Sequence, residues 1–293
     1  MALTSPALTL AVESLFGYIK PATDVMRKMG FTDFSADAPG VDIKPGTTMK
    51  YPLSSVTAAS VYNASTNNYL TGGSTDWGTL TATHFLQGFD ITGTNIDQGV
   101  NASRMKQLFS ARAGAGIAYA AKNTIVSALD GTTASTAVKL VATPTLAQYD
   151  ALAESTAWLD KGNSVLVVNG AEWANIKSVL HAAHLSATKE AAAEELGFKD
   201  IVVLGSMTAR ACIVPFSSIG FIARVPAIGV KYAEAGTETD EDSGLSIGIV
   251  VAEDQATNKQ VVNGDLWFGV AALSANAGAT SAGIIKVGTG TAG

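Results

Sequence analysis

At 293 residues, with a net charge of -6 and only 15% charged side chains, the chain can bury one large core or two moderate ones without covalent staples. Cys212 is the only cysteine, which excludes an intramolecular disulfide and a thiolate zinc site. A surface this poor in charge and rich in Ala, Gly, Ser and Thr suits a protein that covers much of its exterior with copies of itself.

The amino terminus, MALTSPALTLAV, lacks the basic region of a secretory signal. Ser5-Pro6 has the form of an N-cap followed by proline, and Leu8, Val12, Leu15, Phe16 and Ile19 mark one face of a helix ending before Pro21. Beyond the basic pair Arg27-Lys28, Pro39-Gly40 and Pro45-Gly46 punctuate the chain. Too few apolar residues lie close together here to form a core, so the stretch is expected to be an extended arm.

From Thr47 to Thr94 the composition turns to Thr, Ser, Tyr, Val and Asn. Two β-rich runs, Thr48–Tyr62 and Thr79–Thr94, flank turn formers at Asn63–Gly78, which predicts a long hairpin. Strands of about 15 residues extend roughly 50 Å, and a two-stranded ribbon of that length is only marginally stable alone. A neighbouring subunit is the expected support.

The stretch from Asp97 to Gly131 reads as one long helix, with Asn101 as N-cap and Asp130-Gly131 as stop. Its apolar face is Met105, Leu108, Phe109, Ile117, Ala120, Ala121 and Ile125, and Gly114 and Gly116 are local weak points. Arg104, Lys106, Arg112 and Lys122 give the run Gln98–Leu129 a charge of +4 with no acid, suiting solvent, an acidic neighbour or nucleic acid.

An α/β pattern follows. Thr143-Pro144 opens a helix carrying Leu146, Tyr149, Leu152, Thr156 and Leu159, which ends near Lys161-Gly162. Ser164–Val168 reads as a buried strand, followed by a helix from Ala171 to about Leu185 and a short one at Lys189–Leu196. Strands are expected at Asp200–Leu204, Ala211–Phe216 and Gly220–Val225, the block having the proportions of a compact unit. Gly229–Ala233 leads to an acidic turn, Glu234–Ser243, and Leu245–Glu253 and Lys259–Leu273 read as paired strands. The uncharged run Leu266–Ile285 is broken by Asn276 and by Ser, Thr and Gly, which predicts a buried strand and an irregular tail, frayed at Gly288–Gly293, instead of a membrane span. The chain is expected to be soluble and cytoplasmic.

Short motifs offer no coherent chemistry. Gly244-Leu-Ser246-Ile-Gly248 matches the nucleophile-elbow pattern, but β-branched residues continue past Ser246, and His84, His181 and His184 all precede it. His181 and His184 stand three apart without further ligands. Glu238, Asp240 and Asp242 alternate like a calcium loop, yet Ser243 and Ile249 occupy the positions that need Gly and Glu. Gly114-Ala-Gly116 lacks the third glycine of a dinucleotide fingerprint, Asn63 and Asn101 head glycosylation patterns that need secretion, and Trp77, Trp158, Trp173 and Trp267 are scattered. Accordingly no catalytic, cofactor-binding or metal-binding residue is assigned.

The order of arm, long hairpin, long helix, α/β block and closing strands resembles the major capsid proteins of tailed double-stranded DNA phages, the Hong Kong 97-like fold. Ser164–Lys177 (SVLVVNGAEWANIK) and Gly220–Ile228 (GFIARVPAI) are similar to local phrases of that family. The resemblance implies an α+β fold with an N-terminal arm at 1–46 and an extended loop at 47–95. It also implies a peripheral domain with a spine helix at 96–132 and 226–293, and an axial domain at 133–225. It implies a non-enzymatic subunit forming pentamers and hexamers of an icosahedral head, made in the bacterial host cytoplasm and located in the virion capsid. Partners would be scaffolding, portal or decoration proteins and non-specifically held DNA, with no membrane or cofactor. Lys50, at the hairpin base, is the only lysine between Lys44 and Lys106, so the lysine–asparagine cross-link of some members is not expected. An encapsulin-like nanocompartment shell, a phage tail-tube protein and a hydrolase using Ser246 are the alternatives.

Overall fold

The structure, a computed structural model, describes residues 20, 23–34, 48–53, 76–92, 102–132, 134–154, 163–216, 218–224, 234–239, 245–254, 259–272 and 284–290. The expected helix after Ser5 and the N-cap Asn101 lie outside them. In chain order the elements are β1 (Thr32–Asp33), β2 (Thr48–Leu53), β3 (Asp76–Thr81), β4 (Thr83–Thr92), α1 (Ala102–Asp130), β5 (Ala134–Leu140) and α2 (Leu146–Glu154). Then come β6 (Ser164–Val168), α3 (Gly170–Ala182), α4 (Lys189–Glu195), β7 (Asp200–Val203), β8 (Ala211–Pro215) and β9 (Ile219–Arg224). The chain closes with β10 (Glu234–Thr239), β11 (Ser246–Asp254), β12 (Lys259–Ala272) and β13 (Ile285–Thr289). It divides into two compact units. The first comprises Met1–Met49, Leu80–Val126 and Gly220–Val270, and the second Lys50–Thr79, Ser127–Ile219 and Ala271–Gly293.

The first unit is built on β12, which hydrogen-bonds to β9, β11 and β4 in a sheet ordered β1-β9-β12-β11-β10 with β4 beside β12. Leu266, Trp267 and Phe268 are consecutive and all buried, so both faces of this strand are covered, which explains its unbroken apolar sequence. At Gly269 a side chain would collide with the Thr81 carbonyl oxygen, so only glycine admits that strand crossing. Helix α1 buries Ala113, Ile117, Ala121, Ile125 and Leu129 and runs unbroken through both of its glycines. At Gly116 the Gln87 side chain of β4 comes within 3.1 Å of where a Cβ would stand, so the missing side chain is what lets this strand approach the helix.

Two expectations about the amino-terminal third need correction. Only the start of the run Thr79–Thr94 pairs with the first run: β2 pairs with β3, which begins three residues inside the expected tip and ends at Thr81, whereas β4 pairs antiparallel with β12 from Thr83 to Thr92. Half of the supposed ribbon therefore satisfies its backbone within its own chain. The stretch after Arg27-Lys28 also contributes to a core. Residues 23–29 are helical, Met26 and Met29 are buried, β1 adds a parallel strand to β9, and Phe31 packs its ring 6.3 Å from Phe221.

The second unit has a mixed sheet ordered β5-β13-β8-β6-β7. Strand β6 is buried at all five positions and lies antiparallel to β8 and parallel to β7. Helices α2, α3 and α4 cover it with Tyr149, Leu152, Ile176, Leu180, Ala192 and Leu196. The tail is not irregular throughout, nor does all of 226–293 belong with the first unit. Strand β13 sits between β5 and β8, and Gly290 donates its N–H to the Leu140 carbonyl oxygen. The register of β5 and β13 shifts between Lys286 and Gly288, where β5 bulges from Ala134 to Lys139 with Ser135 Oγ accepting from the Ala137 and Val138 amides, and at Gly288 a Cβ would meet the Ser135 carbonyl oxygen. The first six residues of the acidic turn are likewise strand, β10, paired with β11.

Three helices end in the same Schellman geometry, in which the residue after the cap turns left-handed and two backbone bonds close over the last turn. At residue 30 and at residue 197 that residue is glycine, with φ of 63° and 72°. At α3 it is His184, φ 58°, with His184 donating to the His181 carbonyl and Leu185 to that of Leu180. His184 thus lies past the helix that was expected to carry it with His181. A left-handed side-chain residue costs roughly 1 kcal/mol, part of which glycine's freedom in the unfolded chain offsets. His184→Gly should therefore stabilise the protein by about 0.5 kcal/mol, seen as a small rise in Tm.

Candidate functional site

Among the described residues none of the short motifs assembles a reaction centre. Ser246 is the first residue of β11, opposite Thr239, and strand continues for the rest of that nine-residue element, so the helix a nucleophile elbow needs is replaced by strand. His181 and His184 are exposed, and the described residues hold no group of three or more metal-ligating side chains. Glu238 lies in β10, whereas Asp240, Asp242, Asn63 and Trp158 lie outside the described residues. Lys50 is in β2, and Trp173 packs on the core of the second unit.

The second unit instead contains a buried ionic network that sequence reasoning passed over. Asn169 caps α3 by accepting from the Glu172 amide, which leaves the Glu172 side chain free to turn inward. There it accepts from the Tyr149 hydroxyl at 2.5 Å and from Arg210 Nε at 2.8 Å, with Asn175 at 3.3 Å. Arg210 Nη2 lies 2.7 Å from the same carboxylate oxygen, close in distance though not aligned as a hydrogen bond. Arg210 Nη1 donates to the carbonyl oxygens of Leu140 and Val141, so one guanidinium ties α3 to the end of β5. Burial, and then the bond to Glu172, push the Tyr149 phenol well above its ordinary range and keep it a donor. The signal was a lone arginine in the otherwise uncharged run GSMTARACIVPF together with the spacing Asn169-x-x-Glu172.

A second cluster holds the carboxyl end of α1. Asp130 accepts from the Thr208 and Ala209 amides at 3.0 and 2.8 Å, and Lys286 of β13 donates to the Asp130 carbonyl oxygen at 2.6 Å. Burial raises the Asp130 carboxyl, but the two amides, the Thr208 side chain and the charge of Lys286 together outweigh it and hold the group below its ordinary value. Cys212 nearby is buried and its thiol is pushed up to about 12, so it is inert.

In the first unit His84 Nε2 lies 2.6 Å from Asp265 Oδ1, and the imidazole stacks on Trp267 at 4.8 Å. Burial raises the Asp265 carboxyl, and the hydrogen bond and charge of His84 counter it only in part. Leu86 and Tyr119 are more than half exposed, at 57% and 63%. Such large apolar side chains in water, one on an outer strand and one on α1, mark surface suited to contact.

Neither a family model nor a curated protein sequence matches the chain. Solved structures do. The capsid of Ralstonia phage GP4 aligns over 88% of this chain and 89% of its own at a TM-score of 0.53 and 12% identity. A virus-like particle from Pyrococcus furiosus aligns over 93% and 97% at 0.51 and 9%. At this identity the likeness is one of fold: the chain is a mixed α+β protein with the architecture found in that phage capsid and that virus-like particle. No described helix is long and apolar enough to cross a membrane.

Removing one member of a buried ion pair leaves the other charged and unpaired, at a cost of roughly 3–5 kcal/mol. Arg210→Met should therefore lower stability by several kcal/mol in denaturant titration, whereas Tyr149→Phe, which removes one charge-assisted bond, should cost only about 2 kcal/mol. Because the Asp130 carboxyl titrates lower when folded than when unfolded, its contribution is complete above the ordinary carboxylate value and is lost as pH falls through the folded one. The stability difference between the wild type and Asp130→Asn should accordingly shrink on acidification below about pH 4, measured by urea titration at each pH.

Proposed function

We propose that this chain is the major capsid protein of a tailed double-stranded DNA phage, self-assembling into an icosahedral head of the Hong Kong 97-like type. The observation that carries the reading is the fold match to a phage capsid over nearly nine-tenths of both chains. Nothing among the described residues assembles a catalytic constellation, and the low charge density suits a surface that is largely covered. In this reading residues 47–95 hold the extended loop, α1 is the spine of a peripheral domain and 133–225 are the bulk of the axial domain, whose sheet gains Ile285–Thr289. Residues 1–46 would be an arm, of which residues 23–34 pack in the first unit. The loop's demand for a neighbour rests on the two-stranded pair of β2 and β3, since β4 already lies in the sheet of the first unit.

The mechanism is geometric. Each subunit presents several contact surfaces, and interfaces of about 1,600 Å² each hold pentamers and hexamers in a closed lattice. Scaffolding, portal or decoration proteins would be its partners, and DNA would be held by confinement and counterions without base readout. The place of action is the virion, after synthesis in the host cytoplasm.

The likeness to the Pyrococcus furiosus virus-like particle supports a second reading, a nanocompartment shell built on the same fold. Negative-stain microscopy of purified full-length protein tests both. Closed shells are the expected outcome, stacked rings forming tubes would indicate a tail tube, and a stable monomer would end the shell reading. Packaged nucleic acid in shells recovered from infected cells indicates a phage head, and a co-purifying cargo enzyme a compartment.

A further inference from the structure

Helix α3 ends in a bare corner. His181, Ala182, Ala183 and His184 are all exposed, and among the described residues neither imidazole has a hydrogen-bonding or ionic partner. The other basic side chain of the helix, Lys177, is drawn over the Trp173 ring at 5.9 Å, toward the amino end, which leaves the corner without a competing cation from α3. The His184 N–H bonds the His181 carbonyl at 3.1 Å, so the two histidines are one turn apart on the chain. Neighbours three residues apart on a helical turn have β-carbons about 5–6 Å apart, a span that two imidazoles can close onto one ion at about 2.0–2.1 Å from each nitrogen. His184 stands in left-handed backbone, φ 58°, where the matching turns of this chain use Gly30 and Gly197. Glycine would make that turn with less strain, so what the histidine adds is its ring.

We propose that His181 and His184 are half of a zinc site, completed by the same two residues of a second copy of the chain. Zinc takes four ligands in a closed site, and neutral imidazole is among those it prefers. Among the described residues no third ligand is grouped with this pair, so one chain fills at most half of the coordination sphere. An exposed corner can take the missing two ligands from another molecule. Ala182 and Ala183, between the histidines, offer little bulk to keep two such corners apart. Each copy brings the same pair, so the contact is isologous and closes on a twofold axis. The ion would lie at the carboxyl end of a 13-residue helix, where the last carbonyls favour positive charge. Joining two chains of charge -6 through a dication also lowers their mutual repulsion. The site does not depend on the chain building a shell.

Zinc chloride added to unassembled, chelator-stripped full-length protein tests the site, with stoichiometry read by calorimetry and mass by sedimentation velocity. One zinc for every two chains is expected, together with association into pairs that a chelator reverses. His181→Ala should weaken zinc binding by about tenfold or more, since changes outside the direct ligands already cost about 10–100-fold. His184→Gly keeps the turn, and should bind zinc as weakly as His181→Ala while melting no lower than the wild type. That combination marks His184 as a ligand, because a merely structural residue would lose stability and zinc together. One zinc per chain with no change of mass, no zinc bound at all, or a His184→Gly variant that binds zinc like the wild type overturns the site. Shells that form while the unassembled protein ignores zinc sink the site and leave the shell reading standing, whereas zinc-linked pairs from protein that never closes into shells do the reverse.

Discussion

Backbone pairing in the middle of each sheet is the constraint on which the rest of the molecule depends. A buried strand must satisfy its N–H and C=O groups along both edges, and in both units the strand that does so arrives from far along the chain. In the first unit β12 lies between strands contributed by residues 83–92, 219–224 and 246–254. In the second, β13 separates β5 from β8. Each sheet is therefore closed by the last third of the sequence, and the local signals of the intervening elements matter only once those closing strands are in place.

The few buried charges sit where they secure these closures. Arg210 joins the start of β8 to the end of β5 through two carbonyls while neutralising Glu172 on α3. Lys286, on the closing strand itself, binds the last carbonyl of α1, whose side chain in turn holds the Thr208 and Ala209 amides. A charge in such a place is stable only with its partner present, so each pair discriminates against a misplaced strand more strongly than its net contribution to stability would suggest.

The pockets of chemistry that make an enzyme recognisable have no counterpart among the described residues. Among the described residues the surface carries two exposed large apolar side chains, Leu86 and Tyr119.

Much of the local structure was legible because it is written in short range. Helix α1, strand β6, the capped helix α3 and the pairing of β11 with β12 follow from apolar periodicity, caps and turn residues, all of which act within a few positions. The order of those elements sufficed to suggest the fold. The partners of individual strands were not legible: Thr83–Thr92 has the composition of a ribbon strand wherever it pairs, and only the tertiary structure sets it against β12. Ala134–Leu140 and Ile285–Thr289 carry too little periodicity to announce themselves, and become strands because the sheet between β8 and solvent must be completed. The buried triad of Tyr149, Glu172 and Arg210 spans 61 residues of sequence, so no local pattern can bring it together. Local propensity determined which segments are helix or strand, and the requirement to pair every buried polar group determined where they went.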